Sequence, residues 1–185
     1  MKSLVLTLIM LLSTTIIFAQ NYTLVQNESE VAITGTSTVH DWESIAETYK
    51  GEASIKIEDG KLVSVDNLKF IVEVESIKSG KSGMDKKTYG ALNQKKFPYI
   101  EFNLTEISEI NSDTLTANGD LSIAGTTNKI RMEVAYEVLA DGSVKFQGNQ
   151  PVIMTEYNVS PPSAMLGTIR AGDEIKVKFD TKFAQ

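Results

Sequence analysis

From Asn21 onward most segments of the chain alternate apolar and polar residues, and a period of two turns one side of an extended segment inward and the other toward water. In Leu68-Lys69-Phe70-Ile71-Val72-Glu73-Val74-Glu75 the even positions are apolar. The same pattern runs through Ile100, Phe102 and Leu104, through Leu115, Ala117, Leu121 and Ile123, through Ile130, Met132, Val134, Tyr136 and Val138, and through Ile175, Val177 and Phe179. These segments predict strands. Between them stand Glu58-Asp59-Gly60, Asn111-Ser112-Asp113, Ala124-Gly125-Thr126 and Asp141-Gly142-Ser143, the turn chemistry of sequential hairpins.

One stretch departs from this period. Between Gly83 and Lys96 the residues Met84, Thr88, Ala91 and Leu92 fall at helical spacing, and Pro98 returns the chain to an extended course, which predicts one short helical insertion over 83–96. About eight short antiparallel strands with one helix make an all-β fold, read as a single up-and-down antiparallel β-barrel, although a sandwich has the same local signature. Neither a repeat nor a low-complexity linker divides residues 20–185, so they are read as one domain. An eight-stranded barrel is wide enough either to be filled by its own side chains or to hold one small ligand. The inward set above carries no charge, so an enclosed ligand must be apolar over most of its length.

Composition narrows the setting. Lys2 precedes a mainly apolar run from Leu4 to Phe18 that stops at Ala19, and Gln20 and Asn21 begin a polar stretch. Residues 1–19 thus predict a secretory signal peptide cleaved near Ala19, and with it a periplasmic or secreted mature chain. The run falls short of the roughly 20 residues of a membrane span, and a lipid anchor would need a cysteine that the chain lacks. The formal charge is −6; removal of Lys2 with the leader takes it to −7. An acidic chain repels phosphate backbones and anionic headgroups, which argues against nucleic acid or a charged membrane surface as the main partner. With no cysteine, thiol catalysis, disulfides and cysteine metal sites are excluded, and stability must come from a core.

Several motifs carry a family resemblance. They are Gly35-Thr36-Ser37-Thr38-Val39-His40-Asp41-Trp42; Ser76-Ile77-Lys78-Ser79-Gly80 followed by Met84-Asp85-Lys86-Lys87-Thr88-Tyr89 and Ala91-Leu92; and Phe97-Pro98-Tyr99-Ile100-Glu101-Phe102. Further on come Gly119-Asp120-Leu121-Ser122-Ile123-Ala124-Gly125-Thr126-Thr127, Met154-Thr155-Glu156-Tyr157 leading to Pro161-Pro162, and Gly172-Asp173-Glu174-Ile175. In this order and spacing the chain resembles the YceI-like family of secreted lipid-binding barrels. The resemblance covers nearly all of the mature chain, with Ala124 standing where many relatives carry a polar residue or histidine. It implies a lipocalin-like barrel whose elongated pocket encloses a polyisoprenoid or similar long-chain molecule, such as an isoprenoid quinone. It implies no other cofactor.

The candidate ligand-binding set is aromatic and methionine-rich: Trp42, Phe70, Met84, Leu92, Phe97, Phe102, Met132, Tyr136, Met154, Tyr157 and Met165. Methionine adapts to a flexible chain and tyrosine offers a polar tip near a headgroup, while core packing alone would account for most of the set. His40, the single histidine, is a candidate headgroup contact at the pocket mouth, or else a strand residue tied to a neighbouring carboxylate. A nucleophile such as Ser37 or Ser44 with His40 and Asp41 is disfavoured, because adjacent strand residues point to opposite faces. One histidine among scattered carboxylates supplies no zinc or iron ligand set. Lys78, Lys81, Lys86, Lys87, Lys95 and Lys96 form a basic island, a solvated face or a transient membrane contact. The four Asn-x-Ser/Thr sequons, at Asn21, Asn27, Asn103 and Asn158, carry no meaning outside a eukaryotic secretory route.

Three readings follow. A lipid carrier or scavenger, monomeric or homodimeric, predicts a long closed apolar cavity. An isoprenoid-modifying enzyme requires His40 to point inward with a side-chain partner. A secreted interaction barrel that binds no ligand predicts a packed interior.

Overall fold

The computed structural model describes residues 19–185, so the signal-peptide reading lies outside the described residues except for Ala19. The strands are β1 (Gln20–Leu24), β2 (Glu30–Ser37), β3 (Trp42–Ala46), β4 (Tyr49–Glu58), β5 (Lys61–Glu73), β6 (Ile77–Lys78), β7 (Tyr99–Ile110), β8 (Thr114–Ile123), β9 (Thr126–Val138), β10 (Val144–Ile153), β11 (Ser163–Ala164) and β12 (Ile169–Ala184). One α-helix, α1 (Ser82–Ala91), lies between β6 and β7.

Three consecutive pairs are long strands that have been interrupted. A 3-10 turn at Gln26–Glu28 separates β1 from β2, a break at residues 47 and 48 separates β3 from β4, and a 3-10 turn at Val74–Ser76 separates β5 from β6. Their pairings keep the same order on both sides of each break: β1 lies on β4, β2 on β3, β5 on β4 and β6 on β3. Counted this way, eight antiparallel staves follow one another in chain order, and β12 closes the ring by pairing with both β1 and β2. This continuous ring of ladders is the closed up-and-down barrel, and it excludes the sandwich. It also leaves no long unpaired edge for another chain to join.

The strict period of two fails at the bulges. Register shifts interrupt the β4–β5 ladder twice and the β7–β8 ladder twice. The apolar positions that pack together in β5 are therefore Leu62, Val65, Leu68, Phe70 and Val72, and in β7 they are Ile100, Phe102, Leu104, Ile107 and Ile110. Asn67, with φ of 51°, absorbs one of these irregularities. Bulges add local twist and bend to a strand, which a sheet needs in order to close on itself.

One end of the barrel is solid. Tyr22, Ile55, Leu115, Val134, Val144, Phe146 and Phe183 are buried there together. The rings of Phe146 and Phe183 meet edge to face at 5.8 Å, and the Tyr22 hydroxyl donates to the Gly142 carbonyl at 3.0 Å. Toward the other end the apolar side chains on the same inner wall, among them Ile33, Phe70, Phe102, Met132 and Phe179, are only half-buried. They border empty space.

Glycines shape that space. A Cβ built on Gly35 would lie 2.4 Å from the Trp42 indole, one on Gly119 2.3 Å from the Phe102 ring, and one on Gly148 2.3 Å from the Phe179 ring. Gly35 faces Trp42 and Gly148 faces Phe179 directly across their ladders. Each ring therefore lies against its neighbour's backbone along the wall, an arrangement that stabilises glycine within strands, and leaves the middle of the barrel clear.

Helix α1 is tied over the open end at both of its termini. The Asp85 carboxylate accepts from the Ser79 amide at 2.8 Å and the Ser79 hydroxyl at 2.5 Å, and these bonds hold its carboxyl below the ordinary value of 3.8. The Tyr89 hydroxyl, 2.9 Å from the carbonyls of both Glu75 and Ile77, accepts from Lys78 Nζ at 2.9 Å. The helix stops where Asn93 takes φ of 50°, with its amide donating to the Gly90 carbonyl and that of Gln94 to the Tyr89 carbonyl, a C-terminal cap that asparagine tolerates well. The expected insertion over 83–96 is thus a helix followed by a turn.

Truncating Phe183 removes the largest of the fully buried side chains, so Phe183→Ala is expected to lower stability to urea by about 3–5 kcal/mol; a loss under about 1 kcal/mol would show that the end is not the main core. Gly148→Ala is expected to cost about 1–3 kcal/mol and to turn the Phe179 ring toward the lumen, which a crystal structure of the variant would reveal.

Candidate functional site

The space inside the barrel is a cavity of about 590 Å³, within the range of roughly 300–1,000 Å³ typical of small-molecule sites. Measured against the roughly 30 Å³ that a water occupies in the liquid, it accommodates on the order of twenty carbon-sized groups. It runs from Val65, Leu115, Val134, Phe146 and Phe183 at the solid end to Val39, His40, Lys81, Lys87, Pro162, Ser163 and Ile169 at the mouth.

The ladders order the wall into rows. Val152, Ile175, Gly35 and Trp42 stand opposite one another across four strands, and Gln150, Val177, Ile33 and Ser44 form the adjoining row. Gln150 and Ser44 are the polar members of these rows, and the Gln150 side-chain amide already donates to the Pro151 carbonyl at 3.0 Å. Farther down, Thr181 has its hydroxyl donating to the Phe146 carbonyl at 3.1 Å. Among the described residues no carboxylate borders the cavity, and its charged lining residues are Lys81 and Lys87, both at the mouth. The wall can hold a chain of apolar groups, and the mouth can hold an uncharged polar or an anionic head.

Of the residues singled out from the sequence, Trp42, Phe70, Met84, Leu92, Phe102, Met132, Met154 and Tyr157 border this one cavity, with His40 at its rim. Burial holds the Tyr157 phenol above its ordinary 10.0. Three do not border it. Phe97 lies instead against Gly125 in the β8–β9 turn, with Lys96 Nζ 5.0 Å from its ring centroid. Tyr136 packs against the solid end, where its hydroxyl donates to the Asn111 carbonyl at 2.6 Å, and burial raises its pKa. Met165 stands in water on the loop before β12, 74% exposed.

His40 stands at the mouth, where a headgroup contact was expected, and its local setting differs from the strand residue tied to a carboxylate. It lies in the bend between β2 and β3 and not on a strand, and its Nδ1 is 2.7 Å from the backbone carbonyl of Asp41 and not from a carboxylate. The hydroxyl of Ser37 donates to the His40 carbonyl at 2.7 Å and accepts from the amides of Val39 and His40. The Trp42 indole donates to the Thr36 carbonyl at 2.9 Å. Residues 35–42 therefore form a self-bonded turn with an indole lying over glycine, and Ser37 is engaged by backbone and not by the imidazole. Among the described residues no three or more His, Asp or Glu side chains gather as a metal would require.

Sequence reasoning set out no alternating segment in three of the eight staves, β1 with β2, β3 with β4, and β10. Val144, Phe146, Gly148, Gln150 and Val152 keep the period of two through β10, but Gln, Gly and Pro within it obscure the apolar rhythm, so Phe146, Gln150 and Val152 were not among the expected lining. Val31 and Ile33 of β2 and Ile107 beyond the β7 bulge also line the cavity.

The YceI-like domain model matches residues 22–183. The structure is similar to BcnA of Burkholderia cenocepacia, with a TM-score of 0.72 at 17% identity over 88% of this chain and 99% of that one. It is also similar to a polyisoprenoid binding domain from Saccharophagus degradans implicated in plant cell wall breakdown, with a TM-score of 0.67 at 11% identity over 90% and 98%. A third likeness is to the Campylobacter jejuni YCEI protein, at 0.60 and 16% identity over 75% and 82%. At such identities these likenesses speak of fold. No curated protein matches the chain. The matched residues run from the first stave of the ring to the last, and the chain belongs to the YceI-like family.

Proposed function

We propose that the protein encloses one long-chain apolar lipid of the polyisoprenoid or isoprenoid-quinone class, tail inward, and serves as its carrier or scavenger in the periplasm or outside the cell. The observation that carries this reading is a cavity of about 590 Å³ with an apolar wall from the solid end to the mouth and its charged lining residues, Lys81 and Lys87, at the mouth. The likeness to the polyisoprenoid binding domain from Saccharophagus degradans supports the ligand class.

Magnitudes favour a long cargo over a short one. Burial of each methylene gains about 0.8 kcal/mol, so ten groups gain about 8 kcal/mol, and association costs an estimated 4–15 kcal/mol. A chain that fills the cavity with on the order of twenty groups gains about 16 kcal/mol and exceeds that cost without any specific polar contact. Rings held flat on glycine favour a methyl-branched chain, which is broader than a plain alkyl tail. The interaction-barrel reading asks for a filled interior, and the half-buried inner wall argues against it. The enzyme reading asks for a side-chain partner to His40, and its ring is bonded to backbone.

The test is to express the full chain with its leader, recover it without detergent, extract it with organic solvent and analyse extract and protein by mass spectrometry. One isoprenoid per barrel and a protein mass beginning at Gln20 are expected. A clean extract from folded protein that also fails to take up added quinone would overturn the lipid reading, and a mass retaining residues 1–19 would overturn the leader assignment. Val177→Trp, which places an indole in the middle of the lumen, is expected to abolish cargo uptake while leaving thermal stability equal to or above that of the unsubstituted protein, since the ring fills empty space. A marked loss of stability would mean that the interior is already packed.

A further inference from the structure

Three apolar side chains stand in water at the mouth: Val39 at 61% exposure, Met165 at 74% and Leu166 at 110%. They come from two loops that touch. The Thr38 amide donates to the Arg170 carbonyl at 3.0 Å, and the Thr38 hydroxyl donates to the Thr168 carbonyl at 3.2 Å. Val39 itself borders the cavity, as does Ala164 next to Met165, so the apolar patch is continuous with the lumen.

The backbone of the second loop holds its tip outward. Met165, Leu166 and Gly167 take φ of 48°, 56° and 90°, and the left-handed region is unusual for residues such as methionine and leucine. The Thr168 amide and hydroxyl both bond to the Met165 carbonyl, at 3.2 and 2.7 Å, which fixes the turn. A strained conformation that keeps two large apolar side chains in solvent has no packing benefit within the barrel.

Basic groups ring the same opening. Lys81 and Lys87 border it, Lys86 is exposed between them on α1, and Arg170 is exposed beside Ile169. Lys87 Nζ also donates to the Ser163 carbonyl at 2.6 Å and ties α1 to the apolar loop. Acidic groups nearby include Asp41 in the Val39 loop, Glu43 beside Trp42, Asp85, which accepts both Ser79 bonds, and Asp173 in the β12 bulge, which accepts from the Thr155 amide and hydroxyl. Residues 78–96 hold six lysines and one aspartate, a net +5, and against a total of −6 the rest of the chain carries −11. The segment that carries α1 is therefore positive on an otherwise negative chain, and such a field turns that side of the rim toward an anionic surface.

We propose that this rim is a docking face for an anionic phospholipid bilayer. Val39, Met165 and Leu166 enter below the headgroups while Lys81, Lys86, Lys87 and Arg170 lie at phosphate level, and the lumen opens directly onto the hydrocarbon. A lipid chain then passes between bilayer and barrel without crossing water. A second copy of this chain is a poorer occupant, because two such rims would bring like charges together. The inference draws its purpose from the lipid-binding reading, but docking is measured without reference to cargo.

The experiment is sedimentation of the mature chain with vesicles of phosphatidylcholine alone and of phosphatidylcholine mixed with phosphatidylglycerol. Binding to the mixed vesicles is expected, weaker to the neutral ones and falling as salt rises. The double variants Met165→Ser/Leu166→Ser and Lys81→Glu/Lys86→Glu are each expected to weaken it at least about tenfold with the thermal midpoint unchanged. Absence of binding to the mixed vesicles, or binding that neither variant weakens, would overturn the proposal. So would a serine variant that converts a dimer to a monomer in analytical ultracentrifugation with no vesicle binding to lose, since the patch would then be an interface between copies. Solvent extracts of the same samples separate the two readings: an empty barrel that still binds vesicles defeats the cargo and not the docking, and a loaded barrel that ignores vesicles does the reverse.

Discussion

Eight staves closed into a ring enclose slightly more room than their inward side chains fill, and the rest of the structure answers to that constraint. Closure satisfies the backbone of every stave and removes the edges, but it also fixes the bore, because strand number and tilt set the diameter of a barrel. Side chains can then fill the bore or leave it open. At one end Phe146, Phe183, Val144 and Tyr22 fill it. Along the rest, Trp42, Phe102 and Phe179 occupy the space over Gly35, Gly119 and Gly148 and not the axis. Large aromatic residues and a hollow centre are compatible only because the partner strand supplies a position without a Cβ.

The same constraint explains the interruptions. Long flat strands would neither coil nor close. The 3-10 turns at Gln26–Glu28 and Val74–Ser76 and the break at residues 47 and 48 interrupt three of the staves, and the bulges of β5, β7 and β12 bend the wall further. After β6, which follows the last of these breaks, the chain leaves the wall to form α1 and returns at Tyr99. The helix therefore sits over the open end as an excursion from one stave and not as part of the ring. Two of its anchors, Asp85 on Ser79 and Tyr89 on the carbonyls of Glu75 and Ile77, are short-range bonds to the segment it has just left, and Lys87 adds a long-range one to Ser163. Because Asp85 is held below its ordinary pKa, the stability from the first of these is present above pH 3.8 and is lost as pH falls through the depressed value.

Much of this was legible from residues alone, for identifiable reasons. Alternation in β8, β9 and the second half of β12 survives without bulges, so Leu115, Met132 and Val177 read correctly as inward. Turn chemistry marked Asp59-Gly60, Ala124-Gly125 and Asp141-Gly142. What could not be read was anything depending on an extra residue in a ladder. A bulge leaves little trace in composition, so Val65 and Ile107, displaced in phase from Phe70 and Phe102, escaped the period-two rule. The height of a residue along the barrel is invisible for the same reason. Tyr136 has inward parity like Met132, yet four residues farther along β9 it has passed the cavity and reached the solid end. The motif from Gly35 to Trp42 is distinctive in sequence because indole, glycine, serine and backbone must fit together in one turn, and its single histidine follows that geometry.

Charge is distributed along the same axis as packing. The solid end has no opening, the middle of the lumen has no ionisable lining group, and Lys81 and Lys87 appear only where the wall meets water. An ionised head carried into the middle would lose its hydration with only Gln150 and Ser44 to replace it, a cost of several kcal/mol without a paired charge. A ligand with one polar end is therefore oriented by the barrel before any specific recognition occurs: its tail is drawn down by the apolar wall and its head is retained at the rim. Orientation of this kind needs no precise polar contact, and so the lumen can favour a long apolar chain as a class while leaving the choice among heads to the few groups at the mouth.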